Sequence, residues 1–137
     1  MTTPFRTSRR VEFADTDMAG IVHFANFFRW MESAEVELLR ARGLSVNFHW
    51  EGRKIGFPRV SASCDFIKPV TFGDEVEITV RVARVGRKSV TYAFEFFKAG
   101  EPVARGQVSA VCCLELADKG LESIAIPPAM RAMLEQA

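Results

Sequence analysis

Phe24-Ala25-Asn26-Phe27-Phe28-Arg29-Trp30-Met31-Glu32-Ser33-Ala34-Glu35-Val36-Glu37-Leu38-Leu39-Arg40-Ala41-Arg42 is the one long stretch of this 137-residue chain with helical period. Phe24, Phe27, Phe28, Met31, Ala34 and Leu38 recur at spacings of three and four, which puts them on one face of a helix. Arg29, Glu32, Glu37 and Arg40 fall mostly off that stripe. Gly43 follows and can take the left-handed conformation that ends a helix. The pattern predicts about five turns at ~3.6 residues per turn.

Outward from this helix the chain alternates. Val11 and Phe13 flank Glu12 before it. After it come four sets: Val60, Ala62, Cys64 and Phe66; Val76, Ile78, Val80 and Val82; Val90, Tyr92, Phe94 and Phe96; and Val108, Ala110, Cys112, Leu114 and Leu116. Period two marks strands with one buried face. Gly73-Asp74, Gly86, Gly100 with Pro102, and Asp118 with Gly120 punctuate them as turns. Short connections imply hairpins and mainly antiparallel pairing. Pro127-Pro128 lead into a short C-terminal helix ending near Gln136. One helix stripe and one sheet face both need burial, so the helix is expected across the concave face of a curved antiparallel sheet, an α+β domain.

Composition narrows the class. Hydrophobic residues make up 48% and charged residues 26%, so the expectation is one globular domain over residues 1–137. A net charge of +1 provides no global field for nucleic acid or an anionic membrane. The polar, basic start from Met1 to Arg10 lacks the apolar core of a secretory signal, and no apolar run is long enough to insert in a bilayer. Cys64, Cys112 and Cys113 do not make a disulfide framework, so a cytoplasmic location is expected. His23 and His49 lie far apart and no Cys-x-x-Cys occurs, so no metal site is expected. His49-Trp50 reads as a packing loop after the helix.

The chemistry concentrates where the first strand meets the helix, in Glu12-Phe13-Ala14-Asp15-Thr16-Asp17-Met18-Ala19-Gly20-Ile21-Val22-His23-Phe24-Ala25-Asn26. Two carboxylates stand two residues apart, and Ile21, Val22 and His23 are poor N-caps. Bare amides at a helix N-terminus suit an oxyanion. A carboxylate beside them is a minimal acyl-transfer arrangement, in which it attacks a carbonyl or activates water. The local pattern alone favours a plainer reading: Asp-Thr-Asp as a turn, with Asn26 capping the helix.

The run from Asp15 to Trp30 closely resembles the signature of the 4-hydroxybenzoyl-CoA thioesterase family, including its Tol-Pal-associated branch. That resemblance implies a hotdog fold, a curved antiparallel five-stranded sheet wrapped around one long central helix, and an acyl-CoA thioesterase. It implies that Asp17 is the catalytic carboxylate and that the backbone amide of Phe24 polarises the thioester carbonyl. Gly20 matches the family glycine that lets the backbone pass close to substrate. His23 stands where the family often has Tyr or Trp, and is expected as a local hydrogen-bonding or pocket residue. Glu32 matches an acidic helix position near the acyl group's hydroxyl; its bland alternative is pairing with Arg29 or Arg40. Arg87, Lys88 and Ser89 resemble a phosphate-anchoring turn for coenzyme A, with Gly86 where the family has Arg; without the resemblance a basic hairpin turn reads as a solvated turn. Phe57, within Gly56-Phe57-Pro58, matches a segment that borders the acyl pocket from a partner subunit; its plain alternative is a core residue.

The resemblance further implies an acyl-CoA substrate and no cofactor, coenzyme A being part of the substrate. It implies a homodimer with a continuous sheet, often paired again into a homotetramer. An aromatic acyl group of hydroxybenzoyl or dihydroxynaphthoyl type is the first expectation, with short aliphatic acyl groups next. The rival from another class is a non-catalytic acyl-CoA or acyl-carrier binding module. A dehydratase ranks lower, because His23 and Glu32 do not match its paired acid and histidine.

Overall fold

The computed structural model describes residues 3–45 and 48–136. Strand β1 (Phe5–Arg10) is followed by a 3-10 turn (Phe13–Asp15) and helix α1 (Ala25–Ala41). Two short strands, β2 (Phe48–Trp50) and β3 (Arg53–Gly56), precede the long strands β4 (Arg59–Phe66), β5 (Glu75–Val85), β6 (Ser89–Lys98) and β7 (Glu101–Val111). Then come β8 (Cys113–Glu115), β9 (Leu121–Ser123) and helix α2 (Pro128–Leu134).

The main sheet has the order β1-β5-β6-β7-β4, and each neighbouring pair is antiparallel. A second antiparallel sheet joins β2-β3-β8-β9. The expectation of a single five-stranded sheet is therefore too simple: the described residues form nine strands in two sheets, with the long helix and, after Pro127, the short C-terminal helix. β2, β3 and β9 span three or four residues, too few to display a period, and β8 reads in the sequence as the end of the last long strand. His49 and Trp50 belong to β2 and not to a loop.

Two strand boundaries also differ from the sequence reading. The first strand was expected around Val11–Phe13 but lies at Phe5–Arg10. Its inward positions include Thr7 and Arg9, whose side chains donate to Glu37 of α1 at 2.9 and 2.6 Å. A polar inner face met by a helix carboxylate carries no apolar alternation. The last expected strand, Val108 to Leu116, breaks at Cys112, where the chain leaves the main sheet and enters the second.

Helix α1 stops as the sequence predicts. Gly43 has φ +80, Leu44 N–H donates to Leu39 O at 2.8 Å, and Gly43 N–H donates to Arg40 O at 3.0 Å. This is a Schellman closure, with Leu44 buried beside it. The buried face of the helix carries Phe27, Trp30, Met31, Ala34 and Leu38, facing β5 residues such as Ile78 and β6 residues such as Phe94 and Phe96. The Phe27 and Phe96 rings meet edge to face at 5.2 Å. Full burial of side chains of this size stabilises by about 1.5–3 kcal/mol each. Phe24, expected on this stripe, is instead 59% exposed at the helix start.

Strand β4 departs most from its pattern. Val60, Ala62, Cys64 and Phe66 were expected inward, yet only Cys64 is half-buried. Val60 is 63% exposed and Phe66 50% exposed on this edge strand. Among the described residues no helix is long and apolar enough to cross a membrane.

Candidate active site at the start of the long helix

The loop between β1 and α1 folds on its own carboxylates. Asp15 Oδ2 accepts the Glu12 amide at 2.8 Å and closes the 3-10 turn. Asp17 opens the next turn: its carbonyl accepts Gly20 N–H at 3.0 Å, and its amide donates to Ile21 O at 2.8 Å. Gly20 has φ +81, the left-handed geometry that such a three-residue loop needs at its last position. A Cβ there would meet nothing within 4 Å, so the demand for glycine is torsional.

Asp17 Oδ1 accepts Ala19 N–H at 2.9 Å, which pins the carboxylate to its own turn. Its other oxygen, Oδ2, has no hydrogen-bond partner among the described residues. The plain turn reading is thus complete for Asp15 and half complete for Asp17. One oxygen builds the loop and the other stays free on an exposed side chain.

Two bridges aim this loop. Thr16 pairs with Val22, and Ile21 pairs with Thr71, so the loop lies against the segment that follows β4. Val22 N–H donates to Val70 O at 2.8 Å. Between them opens a cavity of about 520 Å³ lined by Asp17, Phe24, Phe27, Phe66, Ile67 and Lys68, with Ile21, Val22, Pro69 and Val70. Phe66 meets Phe24 at 6.4 Å and Phe27 at 5.3 Å, both edge to face. Lys68 stands at the rim and pairs with Glu101 at 2.5 Å.

Asn26 does not cap the helix. Its side chain donates Nδ2–H to Asp15 O at 2.8 Å, and α1 has no side-chain cap on its N-cap residue, Phe24. Phe24 has helical torsions, φ −55 and ψ −32, so its amide belongs to the first turn. Among the described residues that amide donates to no acceptor. Phe24, whose amide is free at the positive end of the helix, and Asp17, whose carboxylate holds one free oxygen, therefore line the same cavity.

The other expected site residues are not gathered here within one chain. His23 does not line the cavity; its ring stacks on Phe24 at 4.9 Å, and its Nδ1 accepts Ala25 N–H at 3.2 Å. Glu32 is exposed and makes no ion pair with Arg29 or Arg40 among the described residues. Arg87 and Lys88 lie in the β5–β6 turn and Ser89 opens β6; the chain after β7 braces this turn. Arg131 donates to Gly86 O at 2.5 Å, Ile126 N–H to Arg87 O at 3.0 Å, and Cys112 N–H to Lys88 O at 2.7 Å. Phe57 lines a different, smaller cavity of about 60 Å³, with Glu35, Arg59 and Tyr92. No group of three or more His, Cys, Asp or Glu among the described residues could hold a metal.

That smaller cavity holds what the sequence reading missed. Glu35 is 3% exposed, its Oε2 lies 2.5 Å from Arg59 Nη2, and its Oε1 has no partner. Burial pushes its pKa up to about 7 against the opposing pull of Arg59. The signal was its spacing: Glu35 lies four residues after Met31 and beside Ala34, on the buried side of the stripe. The Lys68-to-Val70 wall of the larger cavity carried no periodic signal at all.

Residues 19–105 match the family model described as the thioesterase superfamily. The chain is 35% identical over 104 residues to a putative esterase of Aquifex aeolicus, covering 74% of this chain and 79% of that one. It is 32% identical over 138 residues to a 1,4-dihydroxy-2-naphthoyl-CoA hydrolase of Thermosynechococcus vestitus, covering 98% and 92%. Among solved structures it resembles a 1,4-dihydroxy-2-naphthoyl-CoA thioesterase from Synechocystis, with TM-score 0.84, 25% identity and 96% of both chains covered. It also resembles a gentisyl-coenzyme A thioesterase, with TM-score 0.80, 32% identity, and 93% and 99% covered.

Proposed function

The chain belongs to the thioesterase superfamily and is a thioester hydrolase, and we propose that it cleaves an aromatic acyl-CoA to the free acid and coenzyme A. The observation that carries this reading is one cavity lined both by Asp17 and by Phe24, the residue whose amide is unpaired among the described residues. The carbonyl oxygen of the thioester accepts the Phe24 N–H, which stabilises the charge that develops on it. The free oxygen of Asp17 then works in one of two ways. It attacks the carbonyl carbon, the C–S bond breaks, and water hydrolyses the resulting anhydride. Alternatively it takes a proton from water, which attacks instead, and the thiolate leaves.

The ring walls of Phe24, Phe27 and Phe66 support an aromatic acyl group, since edge-to-face neighbours accept a further flat ring. Relatives that carry dihydroxynaphthoyl and gentisyl names favour the same class. A short aliphatic acyl group remains the competing substrate. Arg87, Lys88 and Ser89 are the proposed anchor for the phosphates of coenzyme A.

We place the working protein as a homodimer or homotetramer in the cytoplasm. The exposed apolar edge of β4 supports assembly, and three unpaired cysteines suit a reducing compartment. In such an assembly the Phe57 segment would come to the cavity from another protomer.

The experiment is a thiol-release panel over hydroxybenzoyl-, dihydroxynaphthoyl- and short aliphatic acyl-CoA, run with the wild type and Asp17→Asn. The aromatic thioesters should turn over fastest, and Asp17→Asn should lose at least about 100-fold in kcat, the scale of removing a reacting group. Hydrolysis by Asp17→Asn near the wild-type rate overturns the assignment. Tight binding without thiol release points to a binding module instead.

A further inference from the structure

We propose that His23 is a positioning residue: its imidazole occupies the Ala25 amide and so leaves the Phe24 amide as the single free donor of the first helical turn. This proposal rests on the thioesterase reading above. The first amides of a helix have no partner inside it, and each must find one elsewhere. Here they can be followed one at a time. His23 N–H donates to Asp15 O at 2.8 Å. Ala25 N–H donates to His23 Nδ1 at 3.2 Å. Asn26 N–H donates to His23 O at 2.9 Å, and Phe27 N–H to Phe24 O at 3.1 Å. Phe24 N–H has no acceptor among the described residues.

Two acceptors of one residue, the His23 ring nitrogen and its carbonyl, thus consume the two amides that follow Phe24. A second bare donor beside Phe24 would give an oxyanion two competing positions. Holding Ala25 away from that choice fixes where the carbonyl oxygen sits, and therefore how the carbon faces Asp17. The ring also stacks on Phe24 at 4.9 Å and 30°, which holds the residue that bears the free amide. Asp15 O accepts both the His23 backbone N–H and Asn26 Nδ2–H, each at 2.8 Å, so the backbone that carries the imidazole is itself held in place.

Acceptance at Nδ1 requires the neutral ring with its hydrogen on Nε2. His23 does not line the Asp17 cavity, so its proposed action runs through the helix start.

The test compares His23→Phe, which keeps a stacking ring and deletes the acceptor, with His23→Asn, whose short carbonyl can take the Ala25 amide. Steady-state hydrolysis of an aromatic acyl-CoA should show kcat about 10-fold or more lower in His23→Phe, with KM within about 2-fold and the protein folded. His23→Asn should recover most of the lost kcat. A His23→Phe protein with wild-type kcat, or a folded His23→Asn as slow as His23→Phe, overturns the proposal. The imidazole ¹⁵N shifts of the wild-type protein at mildly alkaline pH give a measurement that needs no variant. Hydrogen on Nε2 is expected, and hydrogen on Nδ1 overturns the proposal. Asp17→Asn separates the two claims. If it hydrolyses at the wild-type rate, the site reading itself fails. If it is inactive while His23→Phe matches wild type, only the role of His23 falls.

Discussion

The thioether of Met31 stands directly over Gly106: a Cβ on that glycine would overlap the Met31 sulfur and come within 3.0 Å of the Ser63 carbonyl oxygen. Gly106 lies in β7 between Cys64 of β4 and Phe94 of β6, so this is where the middle of α1 meets the sheet. The close approach brings Phe27, one turn earlier, against Phe96 and Phe66 and so shapes the cavity wall.

Replacing Gly106 with Ala should destabilise the protein by about 1–3 kcal/mol, because a filled core cannot absorb a methyl group without moving a neighbour. Chemical denaturation measures this. The double variant with Met31→Ala should lose less than the sum of the two single losses, since the added methyl takes part of the space that the thioether leaves. Additive losses would mean that the contact does not set the helix height.

Gly20→Ala should separate stability from activity. Its left-handed torsion costs a residue with a Cβ about 1 kcal/mol, a small part of the total. The Asp17 turn depends on that torsion, so kcat should fall far more than the melting temperature implies. Gly20→Asn, which tolerates the left-handed region, should lie between the wild type and Gly20→Ala. Equal kcat values in all three proteins would detach the turn from the chemistry.

The long elements were legible because each obeys one period over many residues. Phe27, Met31, Ala34 and Leu38 mark α1, and Val90, Tyr92, Phe94 and Phe96 mark β6, all of them close to fully buried. The proposed pairing of Asp17 with Phe24 comes only from resemblance, since the local pattern favours an ordinary turn and Asp17 does hold such a turn. What the sequence hid has physical causes. β2 and β9 span three residues each, too few for alternation. Thr7 and Arg9 face Glu37 and make a polar inner face on β1. His23 acts through a ring nitrogen on the second amide after it, and no composition rule for caps includes that contact.

The buried Glu35, paired with the more exposed Arg59, should leave a pH signature in stability. Burial raises the Glu35 pKa from 4.5 to about 7, against the lowering effect of Arg59. The native state therefore holds this proton more tightly than the unfolded chain does. The resulting stabilisation is fully present below the unfolded value and is lost as pH rises through about 7. Its full size is on the order of 3 kcal/mol, at ~1.4 kcal/mol per pKa unit. Thermal unfolding at pH values from mildly acidic to mildly alkaline should show the decline in the wild type and a flatter profile in Glu35→Gln. Parallel profiles would show that Glu35 does not titrate in that window.

Val60 offers the sharpest test of assembly, because it is 63% exposed on an edge strand and lines no part of the Asp17 cavity. An open edge with apolar side chains favours pairing with another strand, and a lysine there opposes it. Val60→Lys should therefore lower the molar mass measured by light scattering toward that of a single chain of 15.3 kDa. If the Phe57 segment reaches the cavity only from a second protomer, kcat/KM should fall in step with the loss of the assembled form and recover as protein concentration rises. An unchanged mass would move the interface elsewhere. A fully active single chain would mean that one protomer suffices, and that Phe57 has no part in substrate recognition.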